Sequence, residues 1–133
     1  KPLMVGQLGR TTMIGFPGNP VSSAVCAILF LRAALRTMLA MDPLLPVRSL
    51  PLAGGLGQND RRQDYLRARL EAMPDGRLGV RATSRQDSSM FATMASADAL
   101  VIRPPQAPPA ANGELVEVML LAEVLSGLDR FPL

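Results

Sequence analysis

Residues 11–41 read TTMIGFPGNPVSSAVCAILFLRAALRTMLAM, and this stretch determines how the first part of the chain folds. Thr11–Phe16 is short and rich in β-prone residues, which predicts a strand. Asn19 is a good N-cap and Pro20 suits the first helical position, so we expect a helix from Pro20 to about Met41. Because this helix is apolar on most faces, we expect it to be buried against a sheet on more than one side.

Beyond residue 46 the pattern changes to short strand-like runs separated by glycine, proline, asparagine and aspartate, which is typical of a small all-β unit. The predicted strands are Val47–Leu52, Tyr65–Ala72, Leu78–Thr83, Ala99–Arg103 and Leu115–Leu121. Pro74-Asp75-Gly76 predicts a hairpin turn, because glycine can adopt the positive φ that such turns require. Residues 88–96 are predicted to form one or two helical turns, and the proline-rich residues 104–112 a surface loop.

The fold class predicted from these patterns is α+β, with a strand, turn and helix in residues 1–42 and a β unit in residues 43–133. A lone strand, turn and helix cannot close a core, so we expect further strands upstream in a longer parent protein. The start at Lys1, rather than at a methionine, agrees with that expectation. Exposed apolar surface on the helix would then cause association or poor solubility of the isolated fragment.

The composition limits the classes of function. About half of the 133 residues (48%) are hydrophobic, which is enough to bury a core. The net charge is +3, but the arginines are scattered and no aromatic side chains are interleaved with them, so we expect no nucleic-acid partner. The chain has no histidine, which excludes imidazole acid-base chemistry, and its single cysteine excludes a disulfide or a cysteine metal cluster within one chain.

The longest apolar run also bears on where the protein works. Ala24–Leu31 is shorter than the roughly 18 residues that a membrane span requires, and Arg32 and Arg36 follow it. We therefore expect a soluble, cytoplasmic protein without a membrane partner. The lone Cys26 in an apolar run agrees with a reducing compartment.

The turn from Pro17 to Ser22 is the first candidate for chemistry. A helix N-terminus offers backbone N–H groups and a partial positive charge, which together favour anions. Gly18 allows close approach to the backbone, Pro20 fixes the entry angle of the helix, and Ser22 adds a hydroxyl group. The alternative is a rigid strand-to-helix connection capped by Asn19, and spacing alone favours this alternative.

The arginines near Tyr65 are the second candidate. Alternation along a strand would place Tyr65, Arg67 and Arg69 on one face, beside Arg61-Arg62 at its start. The residues leave two interpretations open, a solvated strand face or a face that binds an oxyanion. The carboxylates show no spacing that commits a pair to acid-base work or to a metal, and the methionines are best explained by core packing.

Four motifs occur in a fixed order along the chain. They are GFPGNPVS at 15–22, RQDYLR at 62–67, QDSSM at 86–90 and SADAL at 96–100. With Lys1-Pro2 before them, these motifs resemble the molybdopterin molybdenumtransferase family, which includes bacterial MoeA and the E-domain of gephyrin. The resemblance implies that residues 1–42 are the C-terminal part of a doubly wound, MogA-like α/β domain. It further implies that residues 43–133 are the small, barrel-like C-terminal β domain, similar to MoeA domain IV.

The resemblance also implies a reaction. Members of the family insert molybdate into adenylylated molybdopterin in a Mg²⁺-dependent step, releasing AMP and the molybdenum cofactor, and act as homodimers. The positions associated with the molybdate pocket are Lys1, Pro2, Ser22, Arg62 and Ser88. The turn that shapes the active-site cleft is Pro17, Gly18, Asn19 and Pro20. The Mg²⁺ ligands are expected upstream of this fragment, which is therefore expected to be inactive in isolation.

One departure and two alternatives accompany this interpretation. Asp87 stands where the family commonly has an apolar residue, and a carboxylate would repel an oxyanion unless it is turned away or paired. Relatives of the gephyrin type also bind partner peptides with their last β domain, so a scaffold or peptide-interaction module is one alternative. A molybdopterin adenylyltransferase-like domain is the other, and the β unit after residue 46 argues against it.

Overall fold

The computed structural model describes residues 3–83 and 94–125 of the chain. Within these residues the chain divides into two compact units, one formed by residues 3–45 and the other by residues 46–83 and 94–125. Each unit is described below by itself. The assignment of residues 1–42 and 43–133 to named domains stays a prediction.

The first unit begins with an antiparallel hairpin. Strand β1 (Met4–Leu8) pairs with β2 (Thr11–Gly15), and Gly9 adopts a φ of +59° in the turn between them. The second strand corresponds to the predicted Thr11–Phe16, and its pairing with β1 was not predicted. Every side chain of β1 is exposed, so this hairpin encloses no core of its own.

A long helix follows, in three consecutive segments. These are α1 (Pro20–Cys26), a π-helical segment (Ala27–Leu31) and α2 (Arg32–Met38). The helix ends before the predicted Met41 because the chain turns into a Schellman motif. Ala40 has a φ of +54°, its N–H donates to Thr37 O (3.1 Å), and Met41 N–H donates to Arg36 O (2.8 Å).

The expectation that this helix is buried on more than one side is wrong for the described residues. Only Val21 and Ile28 are buried along it, whereas Phe30 and Met38 are exposed, the latter by 81%. The reason is one of size. The sheet described in this unit has two strands, which is too little surface to cover a helix of 19 residues.

The same helix changes the sequence-based estimate of membrane-spanning length. Pro20–Met38 has 19 residues and is long and apolar enough to cross a membrane by length and composition. The predicted apolar run was shorter because it ended at Arg32, whereas the helix continues through Arg32 and Arg36. The core helices of soluble proteins and signal sequences share this length and composition.

The second unit is a five-stranded antiparallel sheet. Its strands are β3 (Arg48–Pro51), β4 (Asp64–Ala72), β5 (Leu78–Ala82), β6 (Ala99–Arg103) and β7 (Leu115–Leu120), followed by α3 (Leu121–Leu125). The spatial order is β3-β7-β6-β4-β5. All five strands lie within one residue, at each end, of the predicted ones. Leu52, just after β3, forms a parallel bridge to Val80 of β5, so the two edges of the sheet meet and the unit is nearly barrel-shaped.

The core of this unit lies on one face of the curved sheet. Its buried members are Leu52, Ala68, Val80, Ala99, Val101, Ala110, Val116 and Val118. Alternate residues of β4, β6 and β7 supply most of them, as the period of a strand requires. The core therefore draws on all the central strands and on the chain after β3.

The predicted turn between β4 and β5 is confirmed. Gly76 has a φ of +82°, its N–H donates to Met73 O (2.9 Å), and Met73 N–H donates to Arg77 O (2.8 Å). The predicted loop at 104–112 is largely exposed, but Ala110 is buried and bridges Leu56. Most of the predicted helical segment 88–96 lies outside the described residues.

Candidate oxyanion-binding site

The turn before α1 is held mainly by Asn19. This residue is extended (φ −82°, ψ 126°), and its side-chain Oδ1 accepts hydrogen bonds from the N–H groups of Val21 (3.0 Å) and Ser22 (3.1 Å). The N–H of Ser23 donates to the backbone oxygen of Asn19 (2.9 Å), and Pro20 has no N–H. The free amides that the sequence had indicated are thus already used within the turn. Within the first turn of the helix, contact with an anion must therefore come from side chains or from the helix dipole.

Two serines in the first turn of the helix have different surroundings. Ser23 Oγ donates to the backbone oxygen of Pro17, which ties the buried proline to the helix. Ser22 is half-buried, and its hydroxyl group makes no hydrogen bond within the part of the chain that the structure describes. The predicted Ser22 therefore keeps a hydroxyl group that can bind a ligand. Ser23 was not among the predicted site residues, because a serine inside a helix gives no signal of its own.

Arg62 lies in the second unit, just before β4. It is exposed, and its guanidinium group has no ion pair or hydrogen bond among residues 3–83 and 94–125. Its backbone is held on both sides. The N–H donates to Asp60 Oδ1 (2.7 Å), and the carbonyl accepts from Asn59 Nδ2 (2.8 Å). A free cationic group is thus carried on an anchored backbone.

Asn59 and Arg103 anchor this segment to the far end of β6. Asn59 Nδ2 also lies 3.0 Å from Arg103 O and 2.8 Å from Pro104 O. Its two hydrogens are therefore shared among three backbone carbonyls, of which Arg62 O is the third. Arg103 is only 6% exposed, and its Nη2 donates to Gly57 O (3.0 Å) and to Pro108 O. The segment 57–62 is thereby fixed to the start of the loop at 104–112. The sequence did not indicate a role for Asn59 or Arg103. Three of their hydrogen bonds go to backbone carbonyls more than forty positions away in the chain, which residue types do not reveal.

The three side chains Tyr65, Arg67 and Arg69 do not form one face with a common role. Arg67 is 2% exposed, so it belongs neither to a solvated surface nor to an open binding face. Its backbone oxygen accepts from both the N–H (2.9 Å) and the hydroxyl (3.0 Å) of Thr83. The hydroxyl of half-buried Tyr65 accepts from Gln63 Nε2, and Arg69 is exposed. Arg67 is therefore a structural residue of β4, and Arg69 alone remains available.

The remaining predicted site residues are Lys1, Pro2, Ser88 and those of the turn before α1. Lys1, Pro2 and Ser88 lie outside the described residues. Ser22 and Arg62 belong to the two different units. Of the turn residues, Pro17 is buried, Gly18 and Pro20 are exposed, and Asn19 is half-buried. Within residues 3–83 and 94–125, no group of three or more histidine, cysteine, aspartate or glutamate side chains is placed to hold a metal ion.

The cap at Asn19 gives a testable prediction for the turn. Replacing Asn19 with alanine removes the acceptor for two amides, so we expect a loss of about 1 kcal/mol in the stability of the first helical turn. Amide hydrogen exchange at Val21 and Ser22 measures this directly and should accelerate about fivefold. Asn19→Asp keeps a capping oxygen and should exchange nearly as slowly as the unaltered chain. Equal exchange in the alanine and aspartate variants would contradict the role of the cap.

Comparison with known proteins supplies the family. A profile of the family described as MoeA C-terminal region (domain IV) matches residues 49–121. Molybdopterin molybdenumtransferase 1 of Mycobacterium tuberculosis is 34% identical over 129 residues, which covers 89% of this chain and 29% of that protein. Molybdopterin molybdenumtransferase 2 of the same organism is 35% identical over 71 residues, covering 53% of this chain and 18% of the relative.

Solved structures agree on the fold. A crystal structure of the molybdopterin biosynthesis MoeA protein from Pyrococcus horikoshii aligns with a TM-score of 0.72 and 22% identity, covering 90% of this chain and 29% of that one. A molybdenum cofactor biosynthesis protein from Pyrococcus furiosus aligns with a TM-score of 0.65 and 19% identity, covering 87% of this chain and 40% of that one. The chain thus spans about three tenths of the length of the first of these structures and of the first curated relative.

The two sequence comparisons cover the same β unit that the structure shows. The profile match extends over more than half of the chain, from β3 to the start of α3, and the identity to the first relative extends over most of it. This chain belongs to the MoeA family, and its β unit is the C-terminal region (domain IV) of that family.

Proposed function

We propose that the chain is the C-terminal part of an enzyme that inserts molybdate into adenylylated molybdopterin, releasing AMP and the molybdenum cofactor. Two relatives that bear the name molybdopterin molybdenumtransferase support this proposal. The observation that carries it is the guanidinium group of Arg62, which has no partner within residues 3–83 and 94–125 and stands on an anchored backbone in the motif RQDYLR. Such an enzyme works on small molecules, as a homodimer in the cytoplasm, without nucleic acid or membrane.

The domain assignment is part of the same proposal. Residues 1–42 would complete a MogA-like α/β domain, and residues 43–133 would form the β domain. Residues 3–45 contain no doubly wound sheet, only a hairpin and a helix with exposed apolar side chains. The remaining strands of that domain would give the helix the cover that it lacks here. The proposal thereby accounts for the exposed face of Pro20–Met38.

Molybdate recognition follows from the chemistry of the proposed pocket. Molybdate is a tetrahedral dianion, and binding must replace its hydration with hydrogen bonds and positive charge. Arg62 would supply a planar guanidinium fork, and Ser22 a hydroxyl donor that is not used within the described chain. Lys1, Pro2 and Ser88 would complete the pocket, and the turn Pro17–Pro20 would shape its wall. We expect Arg62 to contribute more than Ser22, since bonds from a charged donor are about twice as strong as neutral ones.

Magnesium does not fit the described residues of this chain. No cluster of three carboxylates or other ligands is placed to hold it among residues 3–83 and 94–125. We expect the Mg²⁺ ligands upstream of this chain in the whole protein. The role of this chain in the reaction is therefore the binding and orientation of the oxyanion. We assign no step that depends on the metal to its residues.

The test is equilibrium binding of molybdate and tungstate to the full-length parent protein by calorimetry. We expect Arg62→Ala to weaken molybdate binding at least about tenfold, which corresponds to the loss of a charged hydrogen bond. Arg61→Ala is the matched control, because it removes the same charge from the neighbouring exposed position. Unchanged affinity in Arg62→Ala, or equal losses in both variants, would refute the role of Arg62.

A second experiment separates the enzyme from the two alternatives. Complementation of a strain that lacks the molybdenum cofactor by the complete gene would support the transferase. Its failure, together with binding of a partner peptide by the β unit, would support a scaffold of the gephyrin type. The family match over residues 49–121 weighs against an adenylyltransferase-like domain, because that match lies in the β unit.

A further inference from the structure

A cavity of about 610 Å³ lies in the β unit, beside the seam where the sheet nearly closes. One wall is formed by residues 52–56, which follow β3. The other is formed by residues 69–71 of β4 and 81–83 at the end of β5. Its size falls in the range of about 300–1,000 Å³ that is typical of sites for small molecules. Half-buried Leu56 gives the cavity an apolar part, and three charged side chains give it a polar part.

The strand register places two like charges opposite one another in this cavity. Arg69 of β4 is the direct cross-strand partner of Arg81 of β5. Like charges in this position are destabilising unless something neutralises them. Glu71 neutralises Arg81, with Arg81 Nε and Nη2 each donating to a carboxylate oxygen at 2.7 Å, and this pairing holds the pKa of Glu71 below its usual value. Arg69 has no ion pair within residues 3–83 and 94–125, so one positive charge remains.

Arg81 also keeps hydrogen-bond donors that point away from Glu71. Its fork to Glu71 uses Nε and Nη2, and Nη1 makes no hydrogen bond in the described parts of the chain. Nη1 lies beside Gly54, where a Cβ atom would stand only 3.0 Å away. Gly54 has a φ of +89°, which also favours glycine, and its N–H donates to Asn112 Oδ1 (2.8 Å). The glycine thus leaves room for Nη1 at the edge of the cavity.

We propose that this cavity binds a small organic oxyanion, a carboxylate or phosphate ester with an apolar body, distinct from the molybdate that Arg62 would bind. The oxyanion bridges the guanidinium of Arg69 and Nη1 of Arg81, which relieves the repulsion between the two arginines. The apolar body packs against Leu56. Guanidinium groups suit this task because their planar donors match carboxylate and phosphate oxygens.

The test is calorimetric titration of the full-length parent protein with phenyl phosphate, benzoate and inorganic phosphate. We expect saturable binding of at least one aromatic probe and weaker binding of inorganic phosphate, since only the aromatic probes fill the apolar part. Arg69→Gln should weaken binding about tenfold or more, whereas Arg62→Ala should leave it unchanged. Phenyl phosphate and benzoate together distinguish a phosphate ligand from a carboxylate.

The control is Arg77→Gln, which removes the same charge at an exposed position outside the cavity. The thermal midpoint of unfolding shows whether each variant still folds. Arg69→Lys is a second variant, which keeps the positive charge but lacks the planar pair of guanidinium donors. An intermediate affinity in Arg69→Lys supports the proposal. Absence of saturable binding by all three probes, equal losses in Arg69→Gln and Arg77→Gln, or loss in Arg62→Ala would each overturn it. The last result would assign the binding to the molybdate site instead.

Discussion

Replacing Leu52 with alanine is expected to lower the free energy of unfolding of the β unit by about 2–5 kcal/mol, the usual cost of truncating a buried leucine. Leu52 is 1% exposed and belongs to the main hydrophobic core. It also bridges Val80, and its N–H donates to Glu114 O (2.8 Å), so it stands where the two edges of the sheet meet. The surrounding strands are held by their hydrogen bonds, so they can move only a little into the space that the truncated side chain leaves. Urea denaturation of the purified parent protein measures this loss.

The matched control is Leu115→Ala on β7. Leu115 is 61% exposed, so its truncation should change the unfolding free energy by less than about 0.5 kcal/mol. A loss below about 1 kcal/mol in Leu52→Ala, or similar losses in the two variants, would show that Leu52 does not close the barrel.

Arg103→Ala is expected to destabilise the β unit by about 3 kcal/mol, because it leaves several backbone carbonyls without their donor. The nearly buried guanidinium donates to Gly57 O and Pro108 O, which lie on two separate segments. Removing it should release the segment that carries Arg62 as well as the loop at 104–112. We therefore expect weaker molybdate binding together with the loss of stability. Denaturation and calorimetry on the same preparations measure both quantities.

Arg48→Ala is the control for this second prediction. Arg48 forms an exposed ion pair with Glu123 (2.8 Å), and such pairs contribute little. It should leave both the stability and the molybdate affinity nearly unchanged. If Arg103→Ala lowered stability but not molybdate affinity, Arg103 would support the fold without positioning Arg62.

Local patterns predicted the elements of this chain well. Alternation and turn residues located all five strands of the sheet to within one residue, and Gly76 located the hairpin turn. Asn19 and Pro20 located the start of the helix. These predictions were correct because such features depend on interactions between residues a few positions apart, which the types of neighbouring residues determine directly.

The assignment of Arg62 to an oxyanion site came from the family resemblance and stays a prediction. Nothing in the sequence indicated the side chains that anchor its backbone. Asn59 and Arg103 donate hydrogen bonds to backbone carbonyls of distant segments. Every residue has such a carbonyl, so the sequence does not indicate which ones accept these bonds. The burial of Arg67 was equally hidden, since alternation places it on the same face as the exposed Arg69.

The strands, the cap and the turn could be predicted from residue types alone, because each rests on short-range geometry, and the family motifs are read directly from the residues. The long-range contacts between these elements arise only in the folded chain. The tertiary structure brought Leu52 to Val80, set Arg69 opposite Arg81, and left the long apolar helix largely uncovered. Strand register and barrel closure arise from packing between segments far apart in the chain, and that packing is a property of the whole fold.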